Sequence, residues 1–334
     1  MFSFFWPLKR GDICVMDFQI LLNNLTNPSL LFFVLGILAV KLKSDLEIPA
    51  TSAKFIALYL MLSIGFKGGQ ELSHSAFTSD IIWALVFGVV LSAAIPFYTF
   101  FILKKKLGVP NAAAISASYG SISAVTFVAA ASFLDVQGAK FGGHMVAVMA
   151  LMEAPAIISG VILLRKYTAT KTEGGLKGIV IHAFTNGSVL LILGSLVIGL
   201  IADEKQAEGI KPFITDIFKG FLAVFLLDMG ITSGRKLKAF FKTGYFSSLF
   251  AILVPLINGA AVAYLSQWIA PEVGDRLIFA ILAASASYIA VPAAMKIANP
   301  EADEGIYVPM ALAVTFPFNL TLGMPIYWMI IQYG

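Results

Sequence analysis

Ten apolar segments, most of them near twenty residues and almost free of charge, follow one another at roughly 28–43, 50–66, 80–103, 112–134, 144–164, 178–201, 212–232, 246–269, 276–298 and 306–332. A helix needs about 20 apolar residues to cross the hydrocarbon core of a bilayer. Inside that core every backbone polar group must find its partner within the protein, which leaves helices as the natural spanning element for such segments. The pattern therefore predicts an all-α polytopic membrane protein of ten transmembrane helices. Composition agrees: 59% of the 334 residues are hydrophobic and 13% charged, where a soluble domain carries about 25% charged residues. The links between segments, such as KSDLE, KKKLGVPN and ADEKQAEG, are too short for a separate soluble domain.

Charge then orients the chain. Of 23 lysines and arginines, fifteen fall in loops on one side, among them Lys104, Lys105, Lys106, Arg165, Lys166, Arg235 and Lys236. Seven fall on the other side, and Lys219 lies within a segment. The positive-inside rule places the richer side in the cytoplasm and both termini outside, as a multi-pass protein of a bacterial inner membrane. Residues 1–27 read as an N-terminal extension. The stretch MFSFFWPLKRGDICV before Met16 has too short an apolar run for a good signal peptide, and an overlong start fits it better.

Several classes are excluded on the same page. One cysteine, Cys14, forms no intramolecular disulfide, and it and the three histidines lie too far apart for metal-ligand spacing. There is no HExxH, no GxSxG and no phosphate-binding glycine loop, so neither an enzyme nor an ATP-driven pump is indicated. No cofactor is expected. The net charge of +4 lies mostly on one face, and nucleic acid is not indicated.

The chain also repeats itself. Thr26-Asn27-Pro28-Ser29-Leu30-Leu31 recurs as Thr185-Asn186-Gly187-Ser188-Val189-Leu190, offset by 159. LSIGFKGGQEL at 62–72 recurs as LDMGITSGRKL at 227–237, offset by 165, with its glycines matched. SASY at 116–119 recurs at 285–288, offset by 169. Three echoes in one order indicate a duplication, 28–164 and 178–334, joined by the polar linker 165–177. Five segments per half is an odd number, so the halves enter the membrane in opposite orientation. That is the inverted repeat found in many secondary transporters.

The repeat opposes segments four and nine, and both are interrupted: one by Gly120, Ser121 and Ser123, the other by Ser285, Ser287 and Pro292. Proline removes an amide donor and clashes with the preceding turn, so a break is expected near Pro292. Non-helical backbone at membrane depth persists only where it lines a cavity or is buried in protein. Two broken helices crossing there would aim half-helix N-termini at one spot, each favouring an anion by about 0.3–1 kcal/mol when exposed and up to about 2 when partly buried. Gly120, Ser121, Ser123, Ser285 and Ser287 are thus the candidate anion-binding residues; serines that merely permit close helix packing are the plain alternative. Glu153, in ALMEAPA halfway along segment five, is an intramembrane carboxylate and a functional candidate by default. Its counterpart region holds Thr315 and Asn319, where Pro317 answers Pro155. Oxygens of Thr126, Glu153, Thr315 and Asn319 make a candidate Na⁺ site, unless Glu153 is simply protonated and hydrogen-bonded into the bundle. Asp228 lies nearer a segment end and reads as structural.

From about Met16 onward the chain resembles the SbtA-type sodium-dependent bicarbonate transporter family of cyanobacteria and other bacteria. The resemblance rests on MDFQILLNNLTNPSLLFFVLGI, IGFKGGQEL, GSISAVTFVAAA, EAPA, LLDMGI, AASASYIAVPA and the Pro317–Pro325 spacing. It implies a homotrimer in which segments one, two, six and seven form a gate or scaffold. The other six would form a core that moves elevator-fashion with bicarbonate and Na⁺ bound between the broken helices. A PII-like protein inhibits cyanobacterial members from the cytoplasmic face, which makes such a regulator a possible partner here. Gly120, Ser123 and Thr126 keep that family's segment-four pattern, while Ala124 and Val125 replace a glycine and a serine. Ser285, Ser287 and Pro292 keep its segment-nine pattern, and Glu153 stands in place of an aspartate. Tyr288 stands where an aspartate is expected and Val291 where a glycine is, so the coupling ion or the anion is open to change. The short linker puts the regulator's docking site in question. The expectation is Na⁺-dependent bicarbonate symport. The alternatives are Na⁺-coupled symport of a small organic carboxylate on the same scaffold or, in another class, an anion channel or membrane sensor.

Overall fold

The computed structural model describes residues 20–75, 78–168, 178, 181, 185–240 and 244–334. The N-terminal extension up to residue 19 and the linker at 169–177 lie outside the described residues. Among the described residues the secondary structure is helical, with no strand. The helices are α1 Pro28–Lys41, α2 Ala50–Ser73, α3 Ser79–Gly120, α4 Ala124–Gln137, α5 His144–Tyr167 and α6 Gly187–Ile201. They continue with α7 Glu204–Lys211, α8 Phe218–Phe240, α9 Tyr245–Leu265, α10 Val273–Ala284, α11 Ala290–Ala298 and α12 Glu304–Tyr333.

Large apolar side chains point outward all along them. Leu31 and Leu38 on α1, Trp83 and Val90 on α3 and Leu190 and Ile198 on α6 are exposed. A water-soluble monomer rarely shows contiguous apolar patches of that kind, and four of the helical stretches are long and apolar enough to cross a bilayer. The chain is a multi-pass helical membrane protein.

Helix starts follow from local chemistry. Asn27 and Asn186 cap α1 and α6 in the same way, each Oδ1 accepting the amide two residues on at 2.9 Å, and Pro28 adds its preset φ at the first helical position. Asp203 and Gln206 close a reciprocal capping box on α7. Three differences from the expected segments have equally local causes. Segments three and four are not separated by a loop: α3 runs through 104–111 as two arms, 79–107 and 109–120, turned at Gly108 with φ 77°. Only glycine adopts that conformation cheaply. Segment seven is preceded by the surface helix α7 and opens on a π turn, Pro212–Asp216. Segment ten carries two π turns, Met310–Thr315 and Asn319–Gly323.

Four helices pair tightly. α1 lies along α8, and α2 along α6. Small residues set both approaches. A Cβ at Gly65 would lie 2.7 Å from the Ile192 carbonyl oxygen and 2.7 Å from Ser195 Cβ, and one at Gly230 would meet the Phe33 carbonyl and sit 3.1 Å from Gly36 Cα. Gly65 thus meets Ser195 as Gly230 meets Gly36, and these pairs are separated by the sequence offsets 165 and 159. The other helices pack around the crossing described below, α3 against α5 and α9 against α10.

Polar contacts also join the connecting stretches and helix ends. Lys219 is 3.5 Å from Asp135, His74 is 3.9 Å from Glu204 and His144 is 3.5 Å from Asp275, whose Oδ1 accepts the Gly142 amide at 2.7 Å. Arg235 lies 3.6 Å from Glu47, the Asn299 amide donates to the Pro110 carbonyl at 2.8 Å, and Lys104 sits over the Tyr167 ring at 4.3 Å.

Candidate functional site

Both expected breaks are present. α3 ends at Gly120 and α4 starts at Ala124; α10 ends at Ala284 and α11 starts at Ala290. Ser121 (φ −84°, ψ 166°) and Ser285 (φ −82°, ψ 168°) leave their helices with nearly identical backbone angles. Pro292 is the third residue of α11, so the break lies just before it. One adjustment to the sequence pattern follows. The first SASY, 116–119, lies in the last turn of α3, whereas the second, 285–288, lies within the break. The residues at equivalent places in the two breaks are Ser121 and Ser123 with Ser285 and Ser287.

The two breaks are bonded to each other. The Ser287 amide donates to the Ser118 carbonyl at 2.8 Å, and the Ser118 hydroxyl donates to the Ser287 carbonyl at 2.5 Å. The Ser285 hydroxyl accepts the Ser123 amide at 3.1 Å and donates to the Leu282 carbonyl at 2.9 Å. Ser123 caps α4 by accepting the Thr126 amide at 3.2 Å, and the Ser287 hydroxyl accepts the Val291 amide at 3.3 Å. Those last two hydroxyls act as acceptors toward the backbone, so each keeps its own proton to donate.

Both side chains border a small cavity. Ser123 and Ser287 line it together with Glu153, Tyr288, Ser188 and Ile192 of α6, and Met61 of α2. Its volume is about 20 Å³, space for one water-sized group. Three helix starts converge here: α4 at Ala124, α11 at Ala290 and α6 at Gly187, while α5 runs past Glu153 with a single turn residue at Met152. Their partial positive charges sum in a site with little water, which suits an anion. The Glu153 carboxylate is 5% exposed and has no ion-pair partner among the described residues. An isolated buried carboxylate is costly, so the same geometry invites a cation beside it. Tyr288 spans the space toward α8, its hydroxyl beside the Ser123 side chain and 3.8 Å from Met229 Sδ.

The remaining candidates stand one layer back. Gly120 packs on the Pro96 ring, where a Cβ would approach Cγ and Cδ to 2.5 Å. The Ser121 hydroxyl is fully buried without a hydrogen bond. Thr126 is buried in the first turn of α4. Thr315 donates to the Ala251 carbonyl at 2.7 Å and bonds the Tyr119 hydroxyl at 2.8 Å. Asn319 donates to the Ala284 carbonyl at 2.7 Å while its Oδ1 accepts from Tyr327 at 3.3 Å. The structure thus brings Glu153 to Ser123 and Ser287, whereas Thr126, Thr315 and Asn319 do not line the cavity. Thr315 and Asn319 instead tie α12 to the two helix ends that precede the breaks. Sequence reasoning missed Ser188, Ile192 and Met61 as lining residues; the TNGSVL echo contained the signal for Ser188, since it marks a helix start.

The chain is matched over residues 28–332, nearly its whole length, by the family model described as the Na⁺-dependent bicarbonate transporter superfamily. No curated protein matches the chain at a significant level.

Proposed function

The chain belongs to the Na⁺-dependent bicarbonate transporter superfamily, and we propose that it takes up bicarbonate by Na⁺ symport across a bacterial inner membrane, with both termini outside. Membership makes it a membrane transporter and not an enzyme. The observation that carries the proposal is the cavity in which two serine hydroxyls, three helix starts and one buried carboxylate meet. Ser123 and Ser287 donate to the anion, replacing the water it leaves. Glu153 holds Na⁺ next to it, with nearby hydroxyl and carbonyl oxygens completing an all-oxygen shell that suits a hard cation. Charge then couples the two: each ion lowers the cost of burying the other. Ser121 and Ser285, with Gly120, shape the crossing, while Thr126, Thr315 and Asn319 steady the ion's surroundings.

The 5+5 inverted repeat, 28–164 against 178–334, is supported by the paired contacts of Gly65 with Ser195 and Gly230 with Gly36, and by the twin dihedrals of Ser121 and Ser285. On this reading α1, α2, α6 and α8 are the scaffold of a homotrimer, and the body holding the crossing moves against it in an elevator cycle. The cavity lies between the two, where Met61 and Ser188 face Ser123 and Ser287. A PII-like regulator would meet the cytoplasmic face near the linker.

Radiolabelled bicarbonate uptake into proteoliposomes, with and without an inward Na⁺ gradient, tests the proposal. Accumulation above equilibrium that needs Na⁺ and is not competed by acetate or pyruvate is the expected result. Equilibration without accumulation points to a channel. Competition by organic acids moves the substrate to that class.

A further inference from the structure

α12 is held from two sides, and the side facing the paired helices is the unusual one. Both of its π turns carry carbonyl groups bonded by side chains of that layer. The Ser233 hydroxyl on α8 donates to the Leu312 carbonyl at 2.9 Å. The Asn24 amide, four residues before α1, donates to the Leu320 and Thr321 carbonyls at 3.0 and 3.1 Å. Widened π turns re-aim carbonyls that a regular helix would use internally, and they recur at functional sites. Asn24 and Ser233 are 6% and 2% exposed, so these are dry bonds.

The two clamp points are eight residues apart, about 12 Å along a helix. Between them lie Thr315 and Asn319, which reach the opposite way to Tyr119 at the end of α3 and Ala284 at the end of α10. α12 is therefore the bridge from the paired helices to both breaks. Among the described residues, the other polar links from α1, α2, α6 and α8 to the crossing body are weak. They include the exposed Lys219–Asp135 pair at 3.5 Å, the long Tyr288–Met229 contact at 3.8 Å, and longer-range attractions of Lys67 to Asp135 and Glu71 to Lys140. Beside the Asn24 clamp, the outer one if both termini face outside, lies a second cavity of about 20 Å³, lined by Asn24, Ser29, Ser132, Leu226 and Leu320 among others.

We infer that Asn24 and Ser233 form a two-point latch that fastens α12 to the paired helices and is released in each transport cycle, exposing the outer cavity. The inference rests on the reading that the crossing body moves against α1, α2, α6 and α8. Buried amide and hydroxyl donors on carbonyls suit a latch because water can replace each bond when the surfaces part. Release at one clamp weakens the other, since a single stiff helix joins them.

The test uses the full chain in proteoliposomes with Cys14→Ser and Ser132→Cys, so that the one thiol lies in the outer cavity. Its labelling rate by a membrane-impermeant maleimide reports opening. Asn24→Ala should raise that rate several-fold. Ser233→Ala should do so as well, although Ser233 does not line the cavity, and the pair together should exceed either alone. Ser233→Thr, which keeps the hydroxyl, should label like the parent, and thermal midpoints identify any variant that labels faster because it is unfolded. Unchanged labelling in the folded double variant overturns the latch. Na⁺-driven bicarbonate uptake by the same vesicles judges the underlying function separately. Its absence in the parent protein removes that reading, and the labelling rates still decide the latch.

Discussion

At the scale of single residues, the site divides hydroxyls that face the cavity from hydroxyls that serve the backbone. Ser123 and Ser287 do both, accepting an amide and keeping a proton to give. Replacing either by alanine should weaken bicarbonate binding by tenfold or more, since tenfold is about 1.4 kcal/mol and hydrogen bonds to charged groups contribute about 1.5–3 kcal/mol. The half-saturating bicarbonate concentration in vesicle uptake measures this, and a wild-type value in both variants removes the assignment. Glu153→Gln should cost Na⁺ dependence rather than bicarbonate recognition. Uptake that still follows the Na⁺ gradient in that variant would exclude Glu153 as the ion's ligand. The serines and Glu153 were legible in the sequence because a hydroxyl cluster beside helix breakers, and a carboxylate in an apolar run, are both costly without a purpose. Thr315 and Asn319 stand back from the cavity for a physical reason. A polar side chain in an apolar segment signals a need for a partner, but not which of its neighbours supplies it.

At the scale of elements, what the sequence revealed was period and interruption, and what it hid was continuity. The breaks at 121–123 and 285–289 follow from serine, glycine and proline chemistry. Yet KKKLGVPN looks like a loop and is helical except at Gly108, because one residue with positive φ turns the chain while its neighbours keep their helical bonds. The π turns of α12 left no sequence signature that distinguishes them from ordinary helix. Helix pairing offers a sharper test. Gly65→Ala should lower the thermal midpoint of the purified protein, since overpacking costs about 1–3 kcal/mol and the new methyl group would press on the Ile192 carbonyl and Ser195. Gly194→Ala, on the same layer with nothing within 4 Å of the new Cβ, should leave the midpoint equal or higher, as helix propensity favours alanine by about 0.5–1 kcal/mol. Equal losses in the two would mean that the α2–α6 contact is not close.

At the scale of the whole molecule, the fold is a set of paired helices beside a body knotted at one crossing. Counted by alternation, the loops of one side carry fifteen lysines and arginines and those of the other seven, and this sets an expectation about sidedness. With Cys14→Ser as background, Lys105→Cys should react with an impermeant thiol reagent only from the cytoplasm, and Glu208→Cys only from outside. Both side chains are exposed, so reaction from the reverse sides would invert the topology while leaving the fold intact. The crossing itself has a temporal consequence. Its backbone is the least regular in the membrane region, yet the Ser287 amide is spent on Ser118, 169 residues away in the chain, and the Ser123 amide on Ser285. In heavy water, irregular stretches normally take up deuterium early and helices late. Here the order should run backward. The two loops that look unfinished on paper should be among the last places to change mass, because neither strand of the knot is free to loosen before the other.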